Sequence, residues 1–371
     1  MKNNVIIRGV PWGYTGYATI TRGLIKSLYK AIPDNLLVHP IFWATQQDMF
    51  VDEEMKEILH KCKINEDGDN VNVAEDSLLC LQLPDDIIKM PLLKNTYVYT
   101  MLETSSIPQK WVDILNKIQG TMVPCNGNVA TFRNSGVNKL ACIPPATSMI
   151  FNTEKRENGL VLKNLNKFNI LSFGQANPRK NLAELISAYC DVFGNNSNVT
   201  LFLKVQGRGY STIEMYNIAN EIKKFKSKKN AKIILLYDNL TDNELADIYR
   251  SMDLFVNTSF GESWDYPSFD ALNCGIPAIN TGFLGSDMYM PSEFKVKYNM
   301  VDVQHPNKQV YEDGQKWAKI DSMDLRMKMM YAYNNKKKYK KLAMEASERL
   351  KTEYSWDKSA EIFLNMIKGD K

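Results

Sequence analysis

Apolar and amphipathic runs take turns along this chain. Val5-Ile6-Ile7 opens a strand pattern in NVIIRGV, and Ile20, Leu24, Leu28 and Ile32 then fall on one face of a helix. Strand patterns follow in LLVHPIFW, SLLCLQL, NTYVYTML, GTMVPC and KLACIPP, with helix patterns in QKWVDILNKI and NVATFRNSG. Strand then helix, repeated, predicts a mostly parallel sheet covered on both faces. The pattern lapses between Ser148 and Lys167, a polar stretch rich in Asn and Lys that reads as a linker. A second series starts at FNILSFG and alternates through VTLFLKVQG, AKIILLY, DLFVNTS and IPAINTG, with helix patterns between them. After Gly282 the period is less regular until helices return at MDLRMKMMYAYNN, KYKKLAMEASERLK and SWDKSAEIFLNMIKG. The expected architecture is α/β, two doubly wound domains at 1–150 and 168–352 with a linker at 151–167 and a closing helix at 353–371. Ligands of such sheets sit at the carboxyl ends of the strands. Two facing sheets would put the ligand in a crevice between the domains.

Composition adds limits rather than chemistry. The chain has 371 residues, 44% of them hydrophobic, enough for two ordinary cores. The net charge is +4 and Lys far outnumbers Arg, which argues against a large nucleic-acid interface. The six cysteines are scattered without a Cys-x-x-Cys pair, as expected of reduced thiols in a cytoplasmic protein. His39, His60 and His305 have no metal-ligand spacing, so no metal is expected. MKNNVIIRGV enters a strand directly and no apolar run approaches the ~20 residues a spanning helix needs. The expectation is a soluble protein without a leader, with peripheral membrane contact left open.

The candidate chemistry lies at strand ends. GVPWGYTGYATIT brings Gly13 and Gly16 together with Trp12, Tyr14 and Tyr17, a turn where backbone N–H groups can approach a ligand. A packed turn is the bland alternative, and the third Gly of a dinucleotide fingerprint is missing. SFGQANPRKNLAEL places Gly174 at a turn and Arg179 and Lys180 at a helix start. Cations are disfavoured at that dipole end unless an anion such as a diphosphate binds there; a solvated charged turn is the alternative. YVYTMLETSSIP puts Glu103 and Thr104 after another strand, a candidate carboxylate or else a turn. In YDNLTDNEL, Thr241 and Glu244 form a capping box, leaving Asp238 and Asn239 for a pocket. GESWDYPSFDALNCGIP sets Glu262 and Asp270 on either side of Trp264 and Pro267. The Lys-rich runs KKFKSKKNAK and KKKYKK read as solvated faces, or as a basic patch for an acidic partner or membrane.

DLFVNTSFGESWDYPSFDALNCGIPAINT resembles the donor-binding signature of GT-B glycosyltransferases of the retaining family 4. Glu262 fits its first Glu, Trp264 the aromatic, Pro267 the Pro, and Cys274-Gly275-Ile276-Pro277 the ending. GQANPRKNLAELISAY, LETSSIPQKWVDILN and YSWDKSAEIF are similar to other family segments. The resemblance implies a GT-B fold, two Rossmann-like domains facing an interdomain cleft, with the C-terminal helix crossing back to the first. It implies transfer of a sugar from a nucleotide-diphosphate sugar, UDP- or GDP-linked, to an acceptor hydroxyl with retention, and no required cofactor. Lys180 and Arg179 would neutralise the diphosphate. Glu262 would hold donor-sugar hydroxyls, Asp270 the ribose, and the Ser263–Asp265 backbone would lie near sugar or phosphate. Tyr237, Asp238, Asn239 and Leu240 would line the base pocket, with Gly174 and Gly16 at the donor. The acceptor would meet Trp12, Gly13, Tyr14, Trp43, Glu103 and Thr104, with Glu103 the candidate catalytic carboxylate there.

Ser263 and Asp265 stand where the family has glycines, and Asp270 where it has Glu. Asp265 is therefore expected to aim at a sugar hydroxyl or a cation. The acceptor class stays open: glycan, lipid-linked sugar, protein, small molecule, or a hydroxymethylated base in DNA. The competing reading is a non-catalytic nucleotide-sugar or glycan-binding protein on the same fold.

Overall fold

The computed structural model describes residues 3–42, 51–174, 177–205, 212–226, 231–237 and 240–369. The chain divides into two compact units, Met1–Thr147 with Tyr354–Lys371, and Ser148–Glu353.

The first unit runs β1 (Val5–Gly9), α1 (Gly16–Ala31), β2 (Leu36–Pro40), α2 (Glu53–Lys61), β3 (Ser77–Leu81), α3 (Pro84–Ile87), β4 (Asn95–Tyr99), α4 (Gln109–Leu115), β5 (Gly120–Val123), α5 (Asn126–Asn134) and β6 (Leu140–Cys142). Its strands pair in parallel in the order β2-β1-β3-β4-β5-β6. β1 is buried along its whole length, as a strand covered on both faces must be. Thr15 starts α1 by accepting from the Ala18 N–H, and Ile20, Leu24 and Leu28 bury the face the sequence period marks.

The second unit runs β7 (Phe168–Gly174), α6 (Leu182–Phe193), β8 (Val199–Val205), α7 (Thr212–Lys226), β9 (Ile233–Leu236), α8 (Asp242–Arg250), β10 (Leu254–Val256), α9 (Tyr266–Asn273), β11 (Ala278–Ile279), α10 (Gly285–Tyr289), β12 (Tyr298–Asp302), β13 (Lys316–Ile320), α11 (Ser322–Asn334) and α12 (Lys336–Glu353). Its parallel sheet has the order β11-β10-β7-β8-β9. The order reverses between β7 and β10, so their carboxyl ends flank the topological switch point, where such sheets bind ligands. The Thr241–Glu244 capping box opens α8.

Two stretches depart from the sequence reading. The less regular region after Gly282 contains an antiparallel hairpin, β12 on β13, whose outer strand is largely exposed. Val296, Tyr298 and Met300 alternate with Lys297 and Asn299 there, but Tyr298 and Met300 are exposed, so the alternation marks no core-facing side. The polar stretch from Ser148 is no free linker, because Arg250 donates to the carbonyls of Ile150 and Asn152. Arg156 pairs with Asp247, and Phe151 packs edge-on against Tyr249. The last helix, α13 (Trp356–Lys368), belongs to the first unit and lies on α1.

Candidate active site

β7 ends at Gly174, where an added Cβ would lie 2.5 Å from Leu182. The glycine lets the first turn of α6 sit against the strand end, so its place is explained by helix–strand packing. Asn177 then caps a short 3₁₀ turn, Pro178–Lys180. That turn presents Arg179 and Lys180 toward the loop after β10. The Thr258 hydroxyl binds the carbonyls of Lys180 and Asn181 at 3.3 and 3.0 Å, and the Phe260 N–H binds the Arg179 carbonyl at 2.8 Å. The two strand-end loops are thus joined through their backbones.

Glu262 lies between the two cations. Arg179 Nη1 is 2.8 Å from Glu262 Oε2 and also donates to the Gly261 carbonyl at 2.6 Å. Lys180 Nζ donates to Glu262 Oε1. All three side chains are largely buried, at 13 to 15% exposure. Burial alone would raise the Glu262 carboxyl, but the Arg179 and Lys180 charges outweigh it and hold the group well below the usual carboxylate range. The cluster therefore carries two positive charges and one negative. A binding anion can take over the cations and free Glu262 to accept hydroxyl hydrogens.

Backbone strain surrounds this cluster. Asn181, Asp265 and Leu284 have φ of 48°, 64° and 62°, a region L-residues rarely enter. Leu284 bridges Glu262, and the Gly285 N–H reaches the Glu262 carbonyl at 3.3 Å. A Cβ on Gly285 would fall 2.2 Å from the Ser263 carbonyl oxygen, so only glycine allows this approach. Strain of this kind persists where the surroundings over-determine it, and it concentrates at functional sites.

Asp265 does not aim at a ligand. Its carboxylate turns inward, accepting from Asn257 Nδ2 and Asn280 Nδ2 at 2.8 Å each and capping α9 through the Ser268 N–H. Tyr289 donates to its carbonyl at 2.9 Å. Burial, and then the Glu262 charge, push this carboxyl above its ordinary range. The expectation of a sugar- or cation-facing Asp265 side chain is corrected: three N–H groups already hold it. The Trp264 side chain is 2% exposed and packs against Phe269 and Tyr289, which leaves the backbone of this turn as the part expected near a donor. The Ser263 hydroxyl is buried beside Glu262 and has no hydrogen-bond partner among the described residues. Asp270, one turn into α9, is buried within electrostatic reach of Tyr249, Cys274 and Tyr289. Tyr237 is exposed and Leu240 half-buried, while Asp238 and Asn239 lie outside the described residues.

Sequence reasoning missed Asn257, Asn280, Thr258 and Phe260. Polar residues ending an apolar strand, as in FVNTS, were the available signal. Phe260 also stacks on Trp317 of β13 at 5.4 Å and accepts the Ala318 N–H on its carbonyl, tying the hairpin to the Glu262 loop.

In the first unit, Trp12 stacks on Phe42 at 5.4 Å and 10°, and Tyr14 is exposed. Arg22 binds the carbonyls of Pro11 and Gly13, and Gly16 is the first residue of α1. Glu103 is half-buried and within electrostatic reach of Tyr17, whose hydroxyl pairs with Thr100 at 3.2 Å. Tyr17 belongs to the first loop singled out in the sequence, but the sequence attaches no role to its hydroxyl. Thr104 is corrected as an acceptor contact: it is fully buried and its hydroxyl donates to the Ser106 carbonyl at 2.7 Å. Trp43 lies outside the described residues.

Comparison with solved structures finds the same fold at low identity. Sucrose-phosphate synthase from Thermosynechococcus elongatus superposes with a TM-score of 0.70 at 13% identity, over 99% of each chain. Anabaena HepE, solved with UDP-glucose, gives 0.64 at 13% identity, over 99% of each chain. Staphylococcus aureus TarM, solved with fondaparinux, α-GlcNAc-glycerol and UDP, gives 0.59 at 16% identity. That match covers 80% of this chain and 56% of TarM, so the chain spans little over half of that relative. The fold is GT-B, with two Rossmann-like units. No curated protein matches the sequence. A family model described as Family 4 Glycosyltransferase in conflict systems matches residues 128–363, well over half of the sequence and inclusive of Arg179, Lys180 and Glu262. This chain belongs to that family of glycosyltransferases.

Proposed function

We propose that the protein transfers a sugar from a nucleotide-diphosphate sugar to an acceptor hydroxyl, with retention at the anomeric carbon and without a metal. The observation that carries this reading is the buried Arg179–Glu262–Lys180 cluster at the switch point of the second unit. A diphosphate entering there meets two cations that Glu262 already pairs. As the glycosidic bond breaks, charge grows on the leaving phosphate, and fixed cations in a water-poor site stabilise it most at that moment. Arg179 gives directional N–H donors and Lys180 a point charge. Glu262, held ionised, is no proton donor. Released from the cations, it would accept hydrogen bonds from sugar hydroxyls. The leaving phosphate would help to take the acceptor proton from the same face, which keeps the configuration.

UDP is the first nucleotide to test, since both HepE and TarM were solved with it, and GDP the second. Asp270 is assigned to the ribose and Tyr237 and Leu240 to the base. Trp12, Tyr14 and Glu103 are assigned to the acceptor, whose class stays open. The non-catalytic alternative draws on the residues that replace the family's glycines and on Asp270; of these, Asp265 serves as a helix cap.

A thermal-shift series with UDP-, GDP-, ADP- and CMP-sugars comes first, because a ligand bound only to the folded state raises stability by mass action. Turnover of the stabilising donor then tests the cluster. Lys180→Ala and Glu262→Ala should each lower turnover by about 10²–10³-fold, the range for removing one transition-state contact. Near-wild-type turnover in both would show that the site is elsewhere, and a donor that binds but is never cleaved would favour the binding protein.

A further inference from the structure

The second unit carries an apolar surface that its core does not use. α11 buries Leu325, Met329 and Ala332 on its inner side. Its outer side exposes Met323, Met327, Met330 and Tyr331, at 39 to 67% exposure. These positions are spaced by four, three and one, so they form one stripe about two turns long. Single exposed apolar residues are ordinary, but a continuous row marks an interaction surface. Along its edge Arg326 is tied to two carboxylates, Glu184 and Asp191, at 2.9 Å each, so this arginine presents no free cation and the attraction must come from the lysines beyond it.

Positive charge gathers at the end of the stripe. Five of the six residues from Lys336 to Lys341 are lysine. Lys338 Nζ donates to the Tyr331 hydroxyl at 3.1 Å and lies 5.5 Å from the ring centroid, which fixes this charge beside the apolar row. Neither Lys337 nor Lys338 has a carboxylate partner among the described residues, and both are exposed. Protein interfaces favour Arg and are depleted of Lys. A bilayer surface suits lysine, because anionic headgroups attract flexible ammonium groups while apolar side chains sink to the acyl boundary. Unbranched methionines adapt to such an irregular boundary.

We infer that the Met323–Tyr331 stripe and the adjoining lysines form a docking surface for an anionic lipid bilayer. No helix among the described residues is long and apolar enough to cross a membrane, so the protein would lie on the surface. The full chain should co-sediment with phosphatidylcholine vesicles that carry phosphatidylglycerol and stay in solution with phosphatidylcholine alone. At about fivefold per lysine, the Lys337→Ala/Lys338→Ala double variant should lower the partition coefficient by about twenty-five-fold. The Met327→Gln/Met330→Gln variant should lower it as well, with the melting temperature of both variants unchanged. The inference is overturned if wild-type protein does not bind anionic vesicles, if it binds neutral vesicles equally, or if the lysine variant binds like wild type. It is also overturned if the methionine variant leaves vesicle binding intact and instead converts a dimer to a monomer in solution.

Discussion

At the scale of single residues, Asp265 shows how one side chain can be read correctly as unusual and wrongly as to cause. The sequence shows an acid where relatives of this pattern carry glycine, and charge logic alone sends it to a ligand. The structure gives a conformational reason instead: the position has φ of 64°, which glycine enters freely and Asp tolerates better than most residues. The carboxylate then caps α9 and binds two buried amides. Asp265→Gly and Asp265→Ala both remove the carboxylate, so their difference isolates the backbone. Ala should be less stable than Gly by about 1 kcal/mol in urea titrations, and the reverse order would mean that the left-handed conformation is absent in solution. The folded pKa is raised, so the stability this group contributes is present below the ordinary carboxylate pKa and is lost as pH rises through the raised value. That decline should appear in the wild type and vanish in both variants. Glu262, Arg179 and Lys180 could be singled out from sequence because each is an ionisable residue at the end of a predicted strand. The pairing of Asp265 with Asn257 and Asn280 could not, since the three meet only through the fold.

At the scale of elements, strand and helix positions in the parallel sheets follow from apolar period, and the β7 run FNILSFG has the bounds of its strand. The segment after Ser148 misled because its anchors are polar. Asp247 on α8 accepts from Arg156, from the Leu160 N–H at 2.8 Å and from Arg250 at 2.9 Å, holding the segment to the second unit. A polar residue that closes such a network looks, in sequence, like one that faces water. Arg250 has a 6% exposed side chain, so Asp247→Asn leaves a buried charge uncompensated and should cost about 3 kcal/mol in chemical denaturation. Hydrogen bonds from Arg156, helped by Leu160 and Arg250, lower the Asp247 pKa to about 2. The folded value lies below the unfolded one, so this contribution is present above the ordinary carboxylate pKa near ~4 and is lost as pH falls toward about 2. The variant should lack that acid-side decline; an unchanged acid profile would mean that the segment after Ser148 does not depend on this carboxylate.

At the scale of the whole molecule, the chain returns to its first unit only at the end, and α13 closes a surface that α1 has left open. The alternating pattern predicts the sheets but not this return, which depends on contacts between the two ends of the sequence. Phe363 packs edge-on against Tyr97, the Ser359 hydroxyl donates to the Pro144 carbonyl at 2.6 Å, and Trp356 lies on Gly23 of α1. A Cβ at Gly23 would come within 2.1 Å of the Trp356 ring, closer than any carbon contact allows. Glycine inside a helix costs about 0.5–1 kcal/mol relative to alanine, so its presence here is offset by the ring seated on it. The two residues should therefore couple in sign as well as size. In the wild-type background Gly23→Ala should destabilise by about 1–3 kcal/mol, because the ring must leave its seat. In a Trp356→Ala background the same change meets no ring and should stabilise by about 0.5–1 kcal/mol through helix propensity. A double-mutant cycle by urea denaturation reads the interaction directly. Additive effects would mean that α13 does not rest on α1 in solution, and that the first unit completes its fold without the end of the chain.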